Sequence, residues 1–587
     1  MIAVSVIGRV IITQDRPASS EEFWCWIRAD ERVEVGMPLL VVNDQTGDEW
    51  LLVVVDKTEN ISTLRDVTQE FFGHDFGMPE RQPKTQPTVI KLIKVRVQAR
   101  EPPLRKPPDG RWVVKKLSRD DLTVIWKNIL PAEEKRILAG FMKTGDWSPA
   151  YFHSDYLLGP LGGHMNISGR TGVAAKTSYA LFQVYSILSW AENVGERIAA
   201  VLFNVKRFDF LGLHHFPKSR KELEEWISAW VAMHGLSKVA EDRAKSLWDA
   251  AEKCGLKLYA DEHGNPPFKI KYFTYPDDPY SLQEKYMLNP IKFKYGLRDL
   301  TVGEVKAGIF EEEEEPRLPQ INLIERLMET INDLNLPVSF RDLLSVIDYQ
   351  AIQVTSMKER YRLKMSSEAI GLIPVVEGFY PSTAQALTTR VRGFLARTKR
   401  VIDATQPCAN PIKFEAIEPG INVIQLHGLG DAEKRVVVNA VLREIFTGLE
   451  AERRAEGERR IDRVVVVVDE LNKYAPVTKS PIKDQIVEIV ARGRDMQLIL
   501  IGAEQFASSV DHQVRDNADV KVVGRSESGE LEKGIYTYLG GLKDKVPLLE
   551  QGEMVVSHHV YPSPLLLHFP PPLHDLWRAY EESMSRG

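Results

Sequence analysis

Two short segments hold residue types that together could manage a nucleoside triphosphate. The first, Asn166 to Ser178, reads Asn-Ile-Ser-Gly-Arg-Thr-Gly-Val-Ala-Ala-Lys-Thr-Ser, a glycine-bearing turn that ends in Lys176-Thr177 and runs into an apolar stretch. The second, Arg463 to Glu470, is a run of five valines closed by Asp469 and Glu470. Triphosphate chemistry requires a cradle of backbone N–H groups, a cation on the terminal phosphates, an anchor for magnesium and an acid that orients water. Gly169 and Gly172 permit the compact turn, so Gly169, Gly172, Val173, Ala174, Ala175, Lys176, Thr177 and Ser178 are the expected phosphate contacts. Lys176 would reach the β and γ phosphates, Thr177 and Asp469 would hold Mg2+, and Glu470 would activate the attacking water.

The loop departs from the common pattern, because Ala175 stands where a glycine usually precedes the lysine and Gly169 lies seven residues before Lys176 instead of six. A glycine turn capping an ordinary helix is the bland alternative, and a site that binds nucleotide but turns over slowly is the intermediate one. Alanine is small enough for the backbone to approach phosphate, so a working loop is favoured. Downstream, Leu498-Ile-Leu-Ile-Gly-Ala-Glu-Gln505 is a strand that ends in an amide suited to sensing a γ phosphate at Gln505. Arg492 and Arg494 could stabilise transition-state charge in a neighbouring subunit's site or could simply compensate a helix C-terminus. Arg515 and Arg525 are weaker candidates for the same role.

The elements needed to position these residues can be read from periodicity. Residues 1–98 hold short β-prone runs separated by turn residues, which predicts a small antiparallel barrel or sheet. Residues 99–149 open on the proline-dense Arg100 to Gly110 and read as a linker. Residues 150–217 and 406–570 alternate continuously apolar strands with helices, the signature of a parallel sheet covered on both faces. Between them, 218–405 is mostly helical, an insertion separating the two nucleotide motifs. The expected fold class is therefore α/β, with a small β-barrel in front and a large helical insertion.

Composition bounds the rest. The 587 residues are too many for one core, and 43% hydrophobic with 27% charged residues is ordinary for a globular chain. No apolar run approaches the roughly 20 residues of a membrane helix, and the first residues read as a strand without a basic leader, so a cytoplasmic location with no membrane partner is expected. Cys25, Cys254 and Cys408 lack paired or metal-ligand spacing and read as buried free thiols. The Glu311 to Glu315 run reads as a solvated loop. A net charge of −6 argues against a surface coated for nucleic acid, although a local basic channel is compatible with it. The loop after Glu470 offers Lys473, Lys479 and Lys483 with Tyr474 between, a candidate for sequence-independent phosphate contacts to DNA; a solvated mobile loop is the alternative.

Several of these segments together resemble a known family. Val4-Ser-Val-Ile-Gly-Arg9 opening a β-rich region, Gly169-Arg-Thr-Gly-Val-Ala-Ala-Lys-Thr177, the helical insertion, Val467-Val-Asp-Glu470, and Ala491-Arg-Gly-Arg-Asp495 followed by Gly502-Ala-Glu-Gln505 are similar to HerA-type DNA translocases of the HerA/FtsK group. The resemblance implies a RecA-like P-loop ATPase core, ATP and Mg2+ as cofactors, and a homohexameric ring around double-stranded DNA. It also implies a NurA-type nuclease partner in DNA end resection, with Gln505 sensing nucleotide and Arg492 or Arg494 serving the adjoining site. By the same resemblance, Gly552 to Ser557 and Leu565 to Phe569 are closing strands, and 571–587 is a C-terminal arm that laps a neighbour. The competing reading is a nucleotide-binding ring scaffold that recruits an effector nuclease with little motor activity; a conjugation or packaging motor, which would call for membrane anchoring or a coat partner, ranks last.

Overall fold

The computed structural model describes residues 5–62, 89–117, 121–122, 125, 130, 132–144, 147–170, 176–310, 318–455, 457–478 and 483–586. Strands β1 (Val6–Ile11), β2 (Glu22–Ile27), β3 (Pro38–Asn43), β4 (Trp50–Ser62), β5 (Val89–Glu101) and β6 (Trp112–Lys116) close into an antiparallel barrel in the order β1-β2-β5-β4-β3-β6. Alternation drives the closure: Ile7, Phe23, Cys25, Leu39, Val41, Val53, Val95 and Val114 point inward as one dry cluster. The barrel runs beyond residue 98. β6 completes it by pairing with both β1 and β3, Val113 lying opposite Arg9 and Val42. The expected linker is thus confined to the prolines before it, since Trp112-Val-Val114 has the apolar character of a strand.

The following segment departs from the linker expectation too. β7 (Arg136–Lys143) and β8 (Trp147–His153) form a hairpin at one end of a twelve-stranded sheet. The other strands are β9 (Met165–Ser168), β10 (Ile198–Asn204), β11 (Ile270–Thr274), β12 (Ile291–Lys292), β13 (Gly420–Gln425), β14 (Arg463–Asp469), β15 (Leu498–Glu504), β16 (Val520–Val523), β17 (Glu553–Ser557) and β18 (Leu565–His568). Their order is β12-β11-β13-β10-β14-β15-β9-β16-β17-β18-β7-β8. The run from β12 to β16 is parallel, and β17, β18, β7 and β8 continue it antiparallel. β11 and β12 fall inside the stretch expected to be a helical insertion, where their short length hides them among the helices.

Both faces of the parallel part are covered, as the valine run demands. Val465 and Val467 face a core shared with helix α1 (Lys176–Val194), while Val464, Val466 and Val468 face a second core. That second face is covered by α2 (Phe340–Ala351), α3 (Pro381–Thr398) and α4 (Asp431–Arg454). The carboxyl-terminal helix α5 (Leu573–Arg586) does not reach away as an arm in this structure. It docks on its own chain: Trp577 stacks on His215 with ring centroids 3.5 Å apart, and Arg578 donates to the Phe208 carbonyl. Of the three cysteines only Cys25 is buried; Cys254 is half-buried and Cys408 is exposed. Among the described residues no helix is long and apolar enough to cross a membrane. The Glu311 to Glu315 run lies outside the described residues.

β9, which delivers the glycine turn, is pinned at its start by His164, a buried residue in left-handed backbone at φ 68°. Its Nδ1 accepts from the Leu500 N–H at 3.0 Å, leaving Nε2 to donate to the Val490 carbonyl at 3.0 Å. The ring is therefore neutral, and burial lowers its pKa to about 4. The unfolded chain takes up this proton near pH 6.5 and the folded chain only near 4, so stability is full above that window and falls as pH drops through it. Urea unfolding should show a loss approaching about 3 kcal/mol across this window that His164→Gln flattens.

Candidate nucleotide site

Strand order brings the two motifs together. β15 lies between β9 and β14, so the ends of all three strands share one carboxyl edge, the place where open parallel sheets bind ligands. Segments 292 residues apart then meet: the Thr177 Oγ1 hydroxyl donates to Asp469 Oδ2 at 3.4 Å. Lys176, the first residue of α1, is 4% exposed beside them. Burial lowers its pKa, opposed by Asp469 and assisted by the nearby Lys206 charge.

Gly169 makes the turn out of β9 possible. Its φ is 144°, and a Cβ there would sit 3.1 Å from the Gly524 backbone at the end of β16. The chain leaves β9 clamped on both sides, with Gly169 N–H donating to the Glu504 carbonyl and Arg170 N–H to the Arg525 carbonyl. Gly172, Val173, Ala174 and Ala175 lie outside the described residues, and so does Lys479. Ser178 follows in the first turn of α1, half-buried.

The acidic pair is presented unequally. Asp469 is 2% exposed and ends β14, while Glu470 turns the chain in left-handed backbone, φ 57° and ψ 42°. That conformation costs a non-glycine residue about 1 kcal/mol or more and is held here by the surroundings. Glu470 N–H donates to Asp469 Oδ1 at 2.9 Å, and Leu471 packs where Gly502 has no side chain. The Glu470 carboxylate remains half-buried and pairs with Lys473 at 2.8 Å.

Three residues join the site without having been expected there. Lys206, just past β10, places its Nζ 2.5 Å from Asp469 Oδ2, and Asp209 Oδ2 is 3.8 Å from the same ammonium. Burial works against the Lys206 charge, yet Asp469, Asp209 and Glu470 raise its pKa above the usual value. Glu504 ends β15 fully buried, and among the described residues neither carboxylate oxygen accepts a well-formed hydrogen bond. Desolvation raises its pKa to about 8, offset only partly by the Lys176 charge. Glu504 was visible in sequence as the acid before Gln505, and Lys206 as a cation two residues past a buried strand, but neither belongs to a phosphate motif.

Other expected residues fall elsewhere. Gln505 is at the right edge, exposed beyond β15. Arg492 and Arg494 end helix α6 (Lys483–Met496), which runs back to the start of β15, so both lie at the amino edge of the sheet, away from this chain's own phosphate turn. Arg492 pairs with Glu488 at 2.7 Å, and the Arg494 stem packs over Gly163. Arg515 is partly buried and paired with Asp516. The loop after Glu470 is tied down, with Pro476 bridging to Val510 and Asp511 N–H donating to the Ala475 carbonyl. Lys483 is used internally: its ammonium is 2.6 Å from Asp511 and donates to the Val477 and Thr478 carbonyls, so it is not a free cation for DNA.

No known family's sequence pattern matches the chain, and no curated protein is similar to it in sequence. Among solved structures it is similar to the bacterial conjugative coupling protein TrwB, at 11% identity and TM-score 0.41 over 78% of this chain and 92% of that one. A second is VirB4 of Thermoanaerobacter pseudethanolicus, at 14% identity and TM-score 0.34 over 74% and 96%. A third is the genome packaging NTPase B204 of Sulfolobus turreted icosahedral virus 2, at 18% identity and TM-score 0.20 over 25% and 67%. These likenesses are remote, and the site is defined by this chain's own geometry.

Glu504 gives a pH signature of opposite sign to His164. An acid with pKa raised in the folded state stabilises the fold below its unfolded value and loses that contribution as pH rises toward 8. Glu504→Gln should therefore be more stable than the parent at pH 8.5 by about 1–4 kcal/mol, with the gap closing near pH 5, as read by urea midpoints at the two pH values.

Proposed function

We propose that this chain is an ATP-driven double-stranded DNA translocase that uses Mg2+, works as a cytoplasmic homohexameric ring and acts with a NurA-type nuclease in DNA end resection. The observation that carries the nucleotide part is the meeting of the Thr177 hydroxyl and the Asp469 carboxylate at 3.4 Å, beside the buried Lys176, at the carboxyl edge of a parallel sheet. Two oxygens at that separation can both reach a magnesium ion, which binds oxygen at about 2.0–2.1 Å. Bound there, Mg2+ would neutralise the β and γ phosphate oxygens.

The chain's own groups divide the remaining work. Backbone N–H groups of the turn after Gly169 and the first turn of α1 bind phosphate. Lys176 draws charge from the transferred phosphoryl group, and Gln505, exposed just past the end of β15, senses the terminal phosphate. Glu470, aimed by its backbone, accepts the proton of the attacking water once Lys473 has moved off it. Lys473 is the one described cation of the expected DNA loop that is half exposed, and six copies in a ring would place it repeatedly along a channel. The DNA, ring and nuclease parts of the reading draw their support from the sequence resemblance.

A second reading, a nucleotide-binding scaffold with slow turnover, is favoured by one feature: both acids of the pair are held in ion pairs, Asp469 by Lys206 and Glu470 by Lys473. Substitution distinguishes the two. Lys176→Ala should weaken binding of a fluorescent ATP analogue at least tenfold, whereas Glu470→Gln should bind it normally and lose phosphate release by about 100- to 1,000-fold. A motor loses resection in the Glu470→Gln background, while a scaffold keeps its partner's activity. Lys473→Glu should weaken duplex binding and flatten its dependence on salt; unchanged DNA affinity would remove the assigned DNA contact.

A further inference from the structure

We propose that Lys206 is a positioning residue of this site, a built-in cation that holds Asp469 in place and must step aside for Mg2+, so that the protein sets its own threshold for metal. The inference rests on the nucleotide reading above. Its geometric basis is that one oxygen has two claimants: Asp469 Oδ2 faces the Lys206 ammonium at 2.5 Å and the Thr177 hydroxyl at 3.4 Å. A metal anchored between Thr177 and Asp469 would share that oxygen with the ammonium, and two cations about 4 Å apart in a partly buried site repel strongly.

The fold supplies a reason for the lysine and a place for it to go. Asp469 is 2% exposed, and a buried carboxylate with no cation beside it is strongly unfavourable. Lys206 reaches it because β10 pairs in register with β14, Phe203 lying opposite Val468. Asp209 Oδ2 lies 3.8 Å from the same ammonium, a second carboxylate that keeps the charge partnered when the ammonium leaves Asp469. Release of Lys206 from Asp469 would also relieve the pressure that its charge places on Lys176.

The test compares the parent protein with Lys206→Met, Lys206→Gln, Lys206→Arg and Asp469→Asn. Free Mn2+ is followed by its electron paramagnetic resonance signal during titration with ADP present, and the Mg2+-induced rise in melting temperature is recorded for each protein. Lys206→Met should lower the Mn2+ midpoint about tenfold and enlarge the Mg2+-induced rise, because the metal then replaces the lost ammonium beside Asp469 without competing with it. Lys206→Arg should keep a midpoint close to the parent's, and Asp469→Asn should lose Mn2+ uptake. A Lys206→Met protein with the parent's midpoint or a higher one overturns the proposal while leaving the nucleotide site standing. A Lys206→Met protein that is unfolded without metal and refolds in Mg2+ supports it; one that stays unfolded in Mg2+, with Lys206→Gln also showing the parent's midpoint, overturns it. Failure of the parent protein to take up either a fluorescent nucleotide or Mn2+ would instead end the underlying reading.

Discussion

A carboxylate removed from water has to be compensated, and Asp469 is the carboxylate around which this site is organised. It sits at the end of a strand buried on both faces, with a lysine and a threonine hydroxyl supplied by two separate segments. Neither could reach it without the strand order. β14 has β10 on one side and β15 on the other, so Lys206 arrives from the first neighbour while the phosphate turn arrives from one strand beyond the second. The sheet thus does more than carry the motifs: it fixes which cation meets which acid.

Much of this was legible in the residues. Five consecutive valines can satisfy two cores at once, and the structure divides them between the two faces as period-two alternation requires. Glycine-bearing turn, lysine and hydroxyl before an apolar helix, with an acidic pair after a buried strand, were enough to place the candidate site at a carboxyl edge. Local pattern did worse where an element owes its existence to distant partners. β6 lies in a stretch whose prolines signal a linker, yet Trp112 to Val114 find β1 and β3 waiting on either side. β11 and β12 are too short to stand out among helices and are strands because β13 offers an edge to β11 and β11 in turn offers one to β12.

The site residues missed by sequence share one property. Lys206, Asp209 and Glu504 matter because of which strands are neighbours, and strand adjacency across some 260 residues has no local signal. Glu504 is the clearest case. In the sequence it is an acid beside Gln505, but in the fold it is a fully enclosed carboxyl group lying between the phosphate strand and the acidic strand. Lys483 shows the converse: it counted as a surface cation by composition, and Asp511 claims it. Charge in a sequence says how many groups exist and nothing about which are already engaged.

Glu470 adopts a backbone conformation that few side chains other than glycine accept. Because the main chain sets the direction in which that side chain leaves the strand, the acid's position is coupled to everything that holds Asp469 and Leu471 in place. A slip of β14 by one position would carry the neighbouring aspartate to the opposite face and swing this acid with it. A displacement of the strand therefore moves the acid as well, so the alignment of one β-strand and the placing of one carboxylate are a single variable.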